Sequence, residues 1–104
     1  MAKQRILIAD DEEEIRFMLR LHLEKAGYAV IFAKNGHEAL EILDNDQVDA
    51  AICDLVMPGF DGMEVLAQAQ KSGQPIPIIL MSAHAKVDTA LQAVKIGAFD
   101  YISK

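Results

Sequence analysis

Residues 48–62 have the sequence VDAAICDLVMPGFDG, and they are the most informative stretch of the chain. The stretch begins as an apolar run typical of a buried strand, and the carboxylate of Asp54 comes where that run ends. Pro58 and Gly59 then predict a loop, because proline fixes φ and lacks an N–H group, and glycine tolerates positive φ. Asp54 is therefore predicted at the carboxyl end of a parallel strand, where open α/β sheets bind ligands. An aspartate that only caps a loop is the alternative interpretation.

The length and composition of the chain indicate one globular domain. Its 104 residues are 52% hydrophobic and 25% charged, which is typical of a folded chain. The formal net charge of -6 disfavours direct binding to nucleic acid or to an anionic membrane, and it suits a site that collects a cation. The N-terminal apolar run is too short for a signal peptide or a membrane span. With Cys53 as the only cysteine, we expect a buried thiol and a cytoplasmic location.

Short apolar runs alternate with amphipathic segments along the whole chain. The apolar runs predict five strands, at residues 5–9, 28–33, 48–54, 76–81 and 99–102. Four helical stripes separate these strands, and Gly27 and Gly97 are the expected ends of the first and last helices. His22 lies on the first stripe and is interpreted as a packed histidine. The alternation predicts right-handed βαβ crossovers, and so a parallel sheet with helices on both faces.

Polar residues stand where the predicted strands end. Asp10 and Asp11 follow the first strand, Asp54 ends the third, Ser82 the fourth and Lys104 the fifth. Because the carboxyl ends of parallel strands share one edge of the sheet, we expect these groups to converge. Three neighbouring carboxylates repel one another, and a hard dication such as Mg²⁺ would relieve that repulsion. The set suits phosphoryl transfer to Asp54, with the metal and the lysine neutralising phosphoryl oxygens.

Four segments carry a resemblance to a known family. They are IADDE at residues 8–12, DLVMPGFDG at 54–62, SA at 82–83 and GAFDYISK at 97–104. With these segments the chain resembles, over all 104 residues, a response-regulator receiver domain of bacterial two-component signalling. The resemblance implies a flavodoxin-like, doubly wound α/β fold whose parallel five-stranded sheet has the order 2-1-3-4-5.

The same resemblance implies an acceptor and a metal site. Asp54 would accept a phosphoryl group from a sensor histidine kinase or a phosphotransfer protein. Asp10, Asp11, Asp54 and the backbone carbonyl of Val56 would bind Mg²⁺, for which Mn²⁺ can substitute. No other cofactor is implied, and the domain would be a signalling protein with only weak self-phosphorylating and self-dephosphorylating chemistry.

Three further residues receive roles from the resemblance. Ser82 would contact the phosphoryl group and Lys104 would pair with it, while Tyr101 would change rotamer with Ser82 on activation. The change would pass to an output domain in the parent protein or to a separate effector. Val56 and His84 stand where side chains in this family border the path of the water that hydrolyses the phosphate.

The sequence departs from the family at one point. Receivers continue past the lysine with a proline and a fifth helix, whereas this sequence stops at Lys104. We therefore expect one receiver domain over residues 1–104, truncated after the fifth strand, with exposed apolar strand surface and a tendency to form a homodimer.

Other functions remain alternatives from the sequence alone. A degenerate or truncated receiver could act only as a protein-binding or dimerisation module. A flavodoxin-like cofactor binder would share the fold, but the sequence has no evident phosphate-cradling loop before the first helix. A phosphatase of the haloacid dehalogenase type would need an acid where Val56 stands. The combination of acids, hydroxyl and lysine favours the phosphorylated switch.

Overall fold

The described residues fold into five strands and four helices that alternate along the sequence. The computed structural model describes residues 3–72, 76–83 and 87–104, so His84 lies outside the described residues. The strands are β1 (Arg5–Ala9), β2 (Ala29–Ala33), β3 (Ala50–Asp54), β4 (Ile78–Ser82) and β5 (Asp100–Ser103). The helices are α1 (Glu13–Lys25), α2 (Gly36–Asn45), α3 (Gly62–Lys71) and α4 (Val87–Ile96). All nine elements match the predicted alternation, with boundaries shifted by a few residues at most.

The strands form one parallel sheet in the order β2-β1-β3-β4-β5. This order confirms the predicted topology. Leu7 of β1 lies between Ile31 of β2 and Ala51 of β3 in the register, and the next row contains Ile8. Because successive side chains of a strand point to opposite faces, the Leu7 row lies on one face of the sheet and the Ile8 row on the other.

Helices α2, α3 and α4 cover the face that carries the Leu7 row. The buried core on this side joins strand and helix residues, including Leu7, Cys53, Leu66, Leu80 and Ala93. Burial raises the pKa of the Cys53 thiol to about 12, with a smaller contribution from the neighbouring Asp54. The thiol is therefore protonated at neutral pH, and the expectation of a buried cysteine is confirmed.

Helix α1 covers part of the opposite face and has no fully buried residue. It turns Ile15, Leu19 and Leu23 inward, where they are half-buried, while His22 is exposed. The interpretation of His22 as a packed histidine is therefore wrong. At about 100° per residue, His22 lies at the edge of the i, i+4 stripe of Ile15, Leu19 and Leu23 that meets the sheet, and its side chain there is exposed to solvent.

Beyond α1, this face of the sheet remains open. An open groove of about 340 Å³ is lined by residues of β1, β3 and β4, including Ile6, Ile52 and Ile79. Ile102 of β5 is 40% exposed. Lys104 directly follows β5, and the structure describes no helix after this strand. In the described ranges, no helix has the length and apolar character needed to cross a membrane.

Candidate functional site

The carboxyl ends of four strands meet at one edge of the sheet, as predicted. Asp10 directly follows β1, Asp54 ends β3, Ser82 ends β4 and Lys104 directly follows β5. Asp10, Asp54 and Ser82 are all buried. The register holds them at this edge, because Asp54 pairs with Met81 and the next residue, Ser82, pairs with Ser103 beside Lys104. Acids from two strands, a hydroxyl and an ammonium therefore lie close together.

The ammonium of Lys104 lies at the centre of these strand-end residues. Its Nζ lies 2.8 Å from Oδ2 of Asp54, 3.1 Å from Oδ2 of Asp10 and 3.2 Å from Oε1 of Glu12. Its backbone N–H donates to the carbonyl oxygen of Ser82 at 2.8 Å, which fixes the base of the side chain. Burial lowers the pKa of the ammonium, but the polar contacts with the three carboxylates outweigh it and raise the pKa above its usual value. Lys104 is therefore a permanent cation in the site.

Asp10 is the most buried acid of the site, with a side chain that is 0% exposed. Its Oδ1 accepts a hydrogen bond from the backbone N–H of Glu12 at 2.8 Å. Its Oδ2 lies within ion-pair distance of Lys104 but has no aligned hydrogen-bond donor in the described structure. Burial raises the pKa of the Asp10 carboxyl, and the contacts with Glu12 and Lys104 offset this only in part. The site therefore has an under-satisfied carboxylate oxygen that would accept a further cation.

Four acids could hold a metal ion together. Carboxylate oxygens of Asp10, Asp11, Glu12 and Asp54 all lie within 4.8 Å of one another. A set of oxygen donors alone suits hard dications such as Mg²⁺ and Ca²⁺. With the under-satisfied Oδ2 of Asp10, this chemistry fits a divalent cation.

Glu12 is the member of this group that sequence reasoning missed. It belongs to a run of acids at the start of α1, and the helix dipole alone is enough to explain such a run. Only the fold brings it to Lys104, 92 positions later in the chain. Its one sequence signal was its place directly after the Asp10–Asp11 pair.

The loop after Asp54 packs closely against the end of β3. Gly59 adopts φ +78, as the loop prediction required, and the N–H of Gly62 donates to the carbonyl oxygen of Leu55 at 2.8 Å. A Cβ atom on Gly62 would lie 2.5 Å from the backbone oxygen of Asp54, so this close approach requires glycine. The N–H of Val56 donates to Oδ1 of Asp54 at 3.3 Å. The loop therefore fixes the orientation of the Asp54 carboxylate.

A cavity of about 300 Å³ opens over this edge of the sheet. Its lining comprises Asp11, Glu12, Asp54, Val56, Ser82, Ala83 and Lys104. The Val56 side chain is largely exposed at this opening. Tyr101 is not among the lining residues; it packs partly buried against the core, and its hydroxyl is buried without a hydrogen-bond partner in the described residues. Among the described residues, the structure thus brings together all the predicted site residues except Tyr101.

Known proteins are similar to this chain both in sequence and in fold. A sequence model of the family described as "Response regulator receiver domain" matches residues 6–104. Response regulator MprA of Mycolicibacterium vanbaalenii is 38% identical over 100 residues, which cover 96% of this chain and 43% of that protein. The chain therefore spans less than half the length of this curated relative.

Two solved structures share this fold. A response regulator from Burkholderia pseudomallei, solved with a phosphorylated aspartic acid, a calcium ion and citrate, has a TM-score of 0.90 and 31% identity, and the match covers 98% of this chain and 60% of that one. TrrA from Thermotoga maritima, solved in complex with Mg²⁺ and BeF, has a TM-score of 0.88 and 36% identity, with 97% and 86% covered. Together with the family match, these likenesses show that the chain belongs to the response-regulator receiver domain family.

Proposed function

We propose that this domain is a phosphorylation-controlled switch whose phosphoryl acceptor is Asp54. The observation that carries the proposal is the ion pair of 2.8 Å between Asp54 and Lys104, set among the acids of the strand ends. An attacking carboxylate needs a neighbouring cation to neutralise the charge that it meets on the phosphoryl group. Similar proteins that were solved with a phosphorylated aspartic acid or with Mg²⁺ and BeF support the proposal.

The proposed reaction transfers one phosphoryl group. A carboxylate oxygen of Asp54 attacks phosphorus in line, a new P–O bond forms, and the bond from phosphorus to the donor breaks. With a phosphohistidine donor, the electron pair of the P–N bond remains on the imidazole, which leaves after taking up a proton. Lys104 then pairs with a phosphoryl oxygen instead of the Asp54 carboxylate. The chain itself supplies orientation and charge, so we propose weak self-phosphorylation and self-dephosphorylation.

A divalent cation completes the proposed site. Asp10, Asp11, Asp54 and the backbone carbonyl of Val56 would hold it, and Mg²⁺ is the proposed ion, with Mn²⁺ as a substitute. Such a cation, when bound, supplies positive charge that offsets the charge of the phosphoryl oxygens. The under-satisfied Oδ2 of Asp10 supports this assignment.

Ser82 and Tyr101 are the proposed elements of the switch. Ser82 is buried and lines the cavity that contains Asp54, within the space that a phosphoryl group would enter. Movement of Ser82 towards that group would change the space near β5, where the Tyr101 hydroxyl is buried without a partner. We infer that Tyr101 changes rotamer in response, and that this change alters the surface that partners contact.

The proposed partners follow from the family and from the charge of the chain. A sensor histidine kinase or a phosphotransfer protein would supply the phosphoryl group, and an output domain or a separate effector would receive the signal. The net charge of -6 supports a domain that does not itself bind nucleic acid or membrane. We place the protein in the cytoplasm, consistent with its single buried thiol.

Phosphoryl loading tests the proposal directly. The protein is incubated with acetyl phosphate and Mg²⁺, and its intact mass is measured. We expect the gain of one phosphoryl group in the wild type and in Asp44→Asn, which removes an exposed acid of α2 far from the site. Asp54→Asn should gain none. A phosphoryl group that still appears in Asp54→Asn would contradict the assignment of the acceptor.

A domain that only binds partners or dimerises is the second candidate. The exposed apolar residues Leu91, Val94 and Phe99 favour some protein contact on the α4 side. This candidate gives no reason for a lysine side chain that is only 12% exposed among carboxylates, so the phosphorylated switch accounts for more of the structure. Failure of the wild type to accept a phosphoryl group would favour the binding module.

A further inference from the structure

Glu12 makes an unusual contact for the residue that precedes a helix. It is the N-cap of α1, the position at which a side chain normally accepts a hydrogen bond from the first helical turn. Its side chain makes no such bond. Instead Oε1 accepts a hydrogen bond from Nζ of Lys104 at 3.2 Å. Among the described residues, Lys104 is thus the one polar partner of the Glu12 carboxylate.

The three acids around Lys104 differ in exposure. The side chains of Asp10 and Asp54 are 0% and 5% exposed, whereas that of Glu12 is 59% exposed and lines the cavity. Glu12 can therefore move with the ammonium towards the opening, whereas the two buried aspartates cannot.

The proposed function requires Lys104 to leave Asp54. While Lys104 Nζ holds Oδ2 of Asp54 at 2.8 Å, that oxygen is less available to a metal ion or to phosphorus. A lysine that left Asp54 without another partner would be a poorly solvated cation, which is costly. An anionic group at the cavity opening reduces that cost.

We propose that Glu12 is a positioning residue that receives the Lys104 ammonium when Asp54 is released. The inference rests on the proposed function for its consequence, but the contact between Glu12 and Lys104 is itself observed in the structure. Glu12 acts through Lys104 and not as a ligand of the metal. Its effect on the site should therefore disappear when Lys104 is removed.

The first test needs neither metal nor phosphate. The NMR resonances of the Lys104 side chain (¹³Cε and the attached protons) are compared in wild type, Glu12→Gln and Glu14→Gln. Glu14 is the matched control, because it is an exposed acid in the first turn of the same helix and lies outside the acidic group. We expect the Lys104 resonances to move in Glu12→Gln and to stay in Glu14→Gln. Unchanged resonances in Glu12→Gln would overturn the proposal, whether or not the proposed function holds.

The second test separates positioning from direct metal binding. Mg²⁺ affinity is measured for both glutamate variants, in the wild-type background and with Lys104→Met. With the lysine present, Glu12→Gln should weaken Mg²⁺ binding about 2- to 5-fold, the range for a partly exposed ion pair, and Glu14→Gln should have little effect. With Lys104→Met the two variants should behave alike. A loss that is specific to Glu12→Gln and persists without the lysine would make Glu12 a ligand and refute the positioning role. If the wild type binds no Mg²⁺, the proposed function fails, and the NMR comparison still decides the Glu12–Lys104 contact.

Discussion

Nζ of Lys104 and Oδ2 of Asp54 lie 2.8 Å apart, although the two residues are 50 positions apart in the sequence. The parallel register creates this contact, because β4 lies between β3 and β5 and all three strands end at the same edge. The pair makes Asp54 different from an aspartate that only caps a loop. Its carboxylate is buried, faces a cation and borders a cavity.

Divalent metal binding should depend on the clustered acids. We expect calorimetry to show binding of Mg²⁺ or Mn²⁺ to the wild type. Asp11→Asn or Asp54→Asn should weaken it, because each removes a charged oxygen ligand. Asp44→Asn is the matched control, since it removes one exposed carboxylate from α2, away from the site. Absence of divalent binding in the wild type would contradict the active-receiver function.

Removing the Lys104 ammonium should destabilise the metal-free fold. Lys104→Met leaves buried carboxylates without their cation, which should lower the free energy of unfolding by roughly 3 kcal/mol, the lower end of the range for breaking a buried pair. Saturation with Mg²⁺ to 100 times its Kd should restore about 2.7 kcal/mol. Lys95→Met, on an exposed residue of α4, should change little. Denaturant melts with and without Mg²⁺ measure both effects, and a Lys104→Met protein as stable as the wild type would refute the role of the ion pair.

The ion pair of Lys104 with Asp54 should also affect the free energy of unfolding at alkaline pH. The folded state raises the pKa of Lys104 above its unfolded value, so the stabilising effect is complete below about pH 10.4. It is lost only as the pH rises through the higher pKa of the folded state. The difference in unfolding free energy between wild type and Lys104→Met should therefore stay constant from neutral pH to about pH 10 and shrink above it. A difference that already falls between pH 7 and 9 would have another cause.

Ser82 should transmit the signal without being needed for phosphoryl transfer. A charge-assisted hydrogen bond from its hydroxyl would contribute about 1.5–3 kcal/mol. Reversal of a two-state population from 1:99 to 99:1 needs about 5.5 kcal/mol, so Lys104 or self-association must supply the rest. Ser82→Ala should accept phosphate but give a reduced change in the NMR spectrum around Tyr101. A full response in Ser82→Ala would exclude this role.

Val56 should lengthen the life of the phosphorylated state. Its side chain borders the cavity beside Asp54, and an apolar β-branched group can exclude water but cannot orient it by a hydrogen bond. In a phosphorylation-competent protein, Val56→Asn should shorten the lifetime of the phosphate severalfold, and His84→Ala should change it less. Lifetimes after acetyl phosphate loading provide the measurement. An equal or longer lifetime in Val56→Asn would mean that water access is controlled elsewhere.

The open face of the sheet should promote self-association. Ile52 and Ile79 are only half-buried there, and Ile102 is 40% exposed. Because exposed apolar patches favour association, we expect concentration-dependent oligomers in sedimentation experiments, and fewer of them with Ile102→Ser. Leu91→Ser is the control, since Leu91 lies on α4, on the opposite side of the sheet. If Leu91→Ser alone abolished association, α4 would be the interface.

Local patterns alone were enough to predict the class and order of the elements. Continuous apolar runs marked the strands, and stripes at helical spacing marked the helices, because burial is a property of each short segment. Gly59 at φ +78 and Gly97 at φ +124 confirm the loop and the helix end that their residue types implied. The resemblance to the receiver family supplied the sheet order, which the structure confirms.

Packing between distant elements decided the rest. The sequence placed His22 on an apolar stripe, but only the position of α1 on the sheet shows that this side of the helix faces solvent. Tyr101 lies only three residues before Lys104, and the alternation of β5 turns its side chain towards the core.

By itself, then, the sequence determined which polar residues stand at strand ends, and hence that Asp10, Asp11, Asp54, Ser82 and Lys104 would meet. That conclusion needs only the rule that parallel strands end together. Glu12 shows what the sequence did not determine. Its contact with Lys104 depends on how α1 leaves the sheet and how far a lysine side chain reaches across it. Distances of this kind arise from the packing of whole elements, so only the tertiary structure decided them.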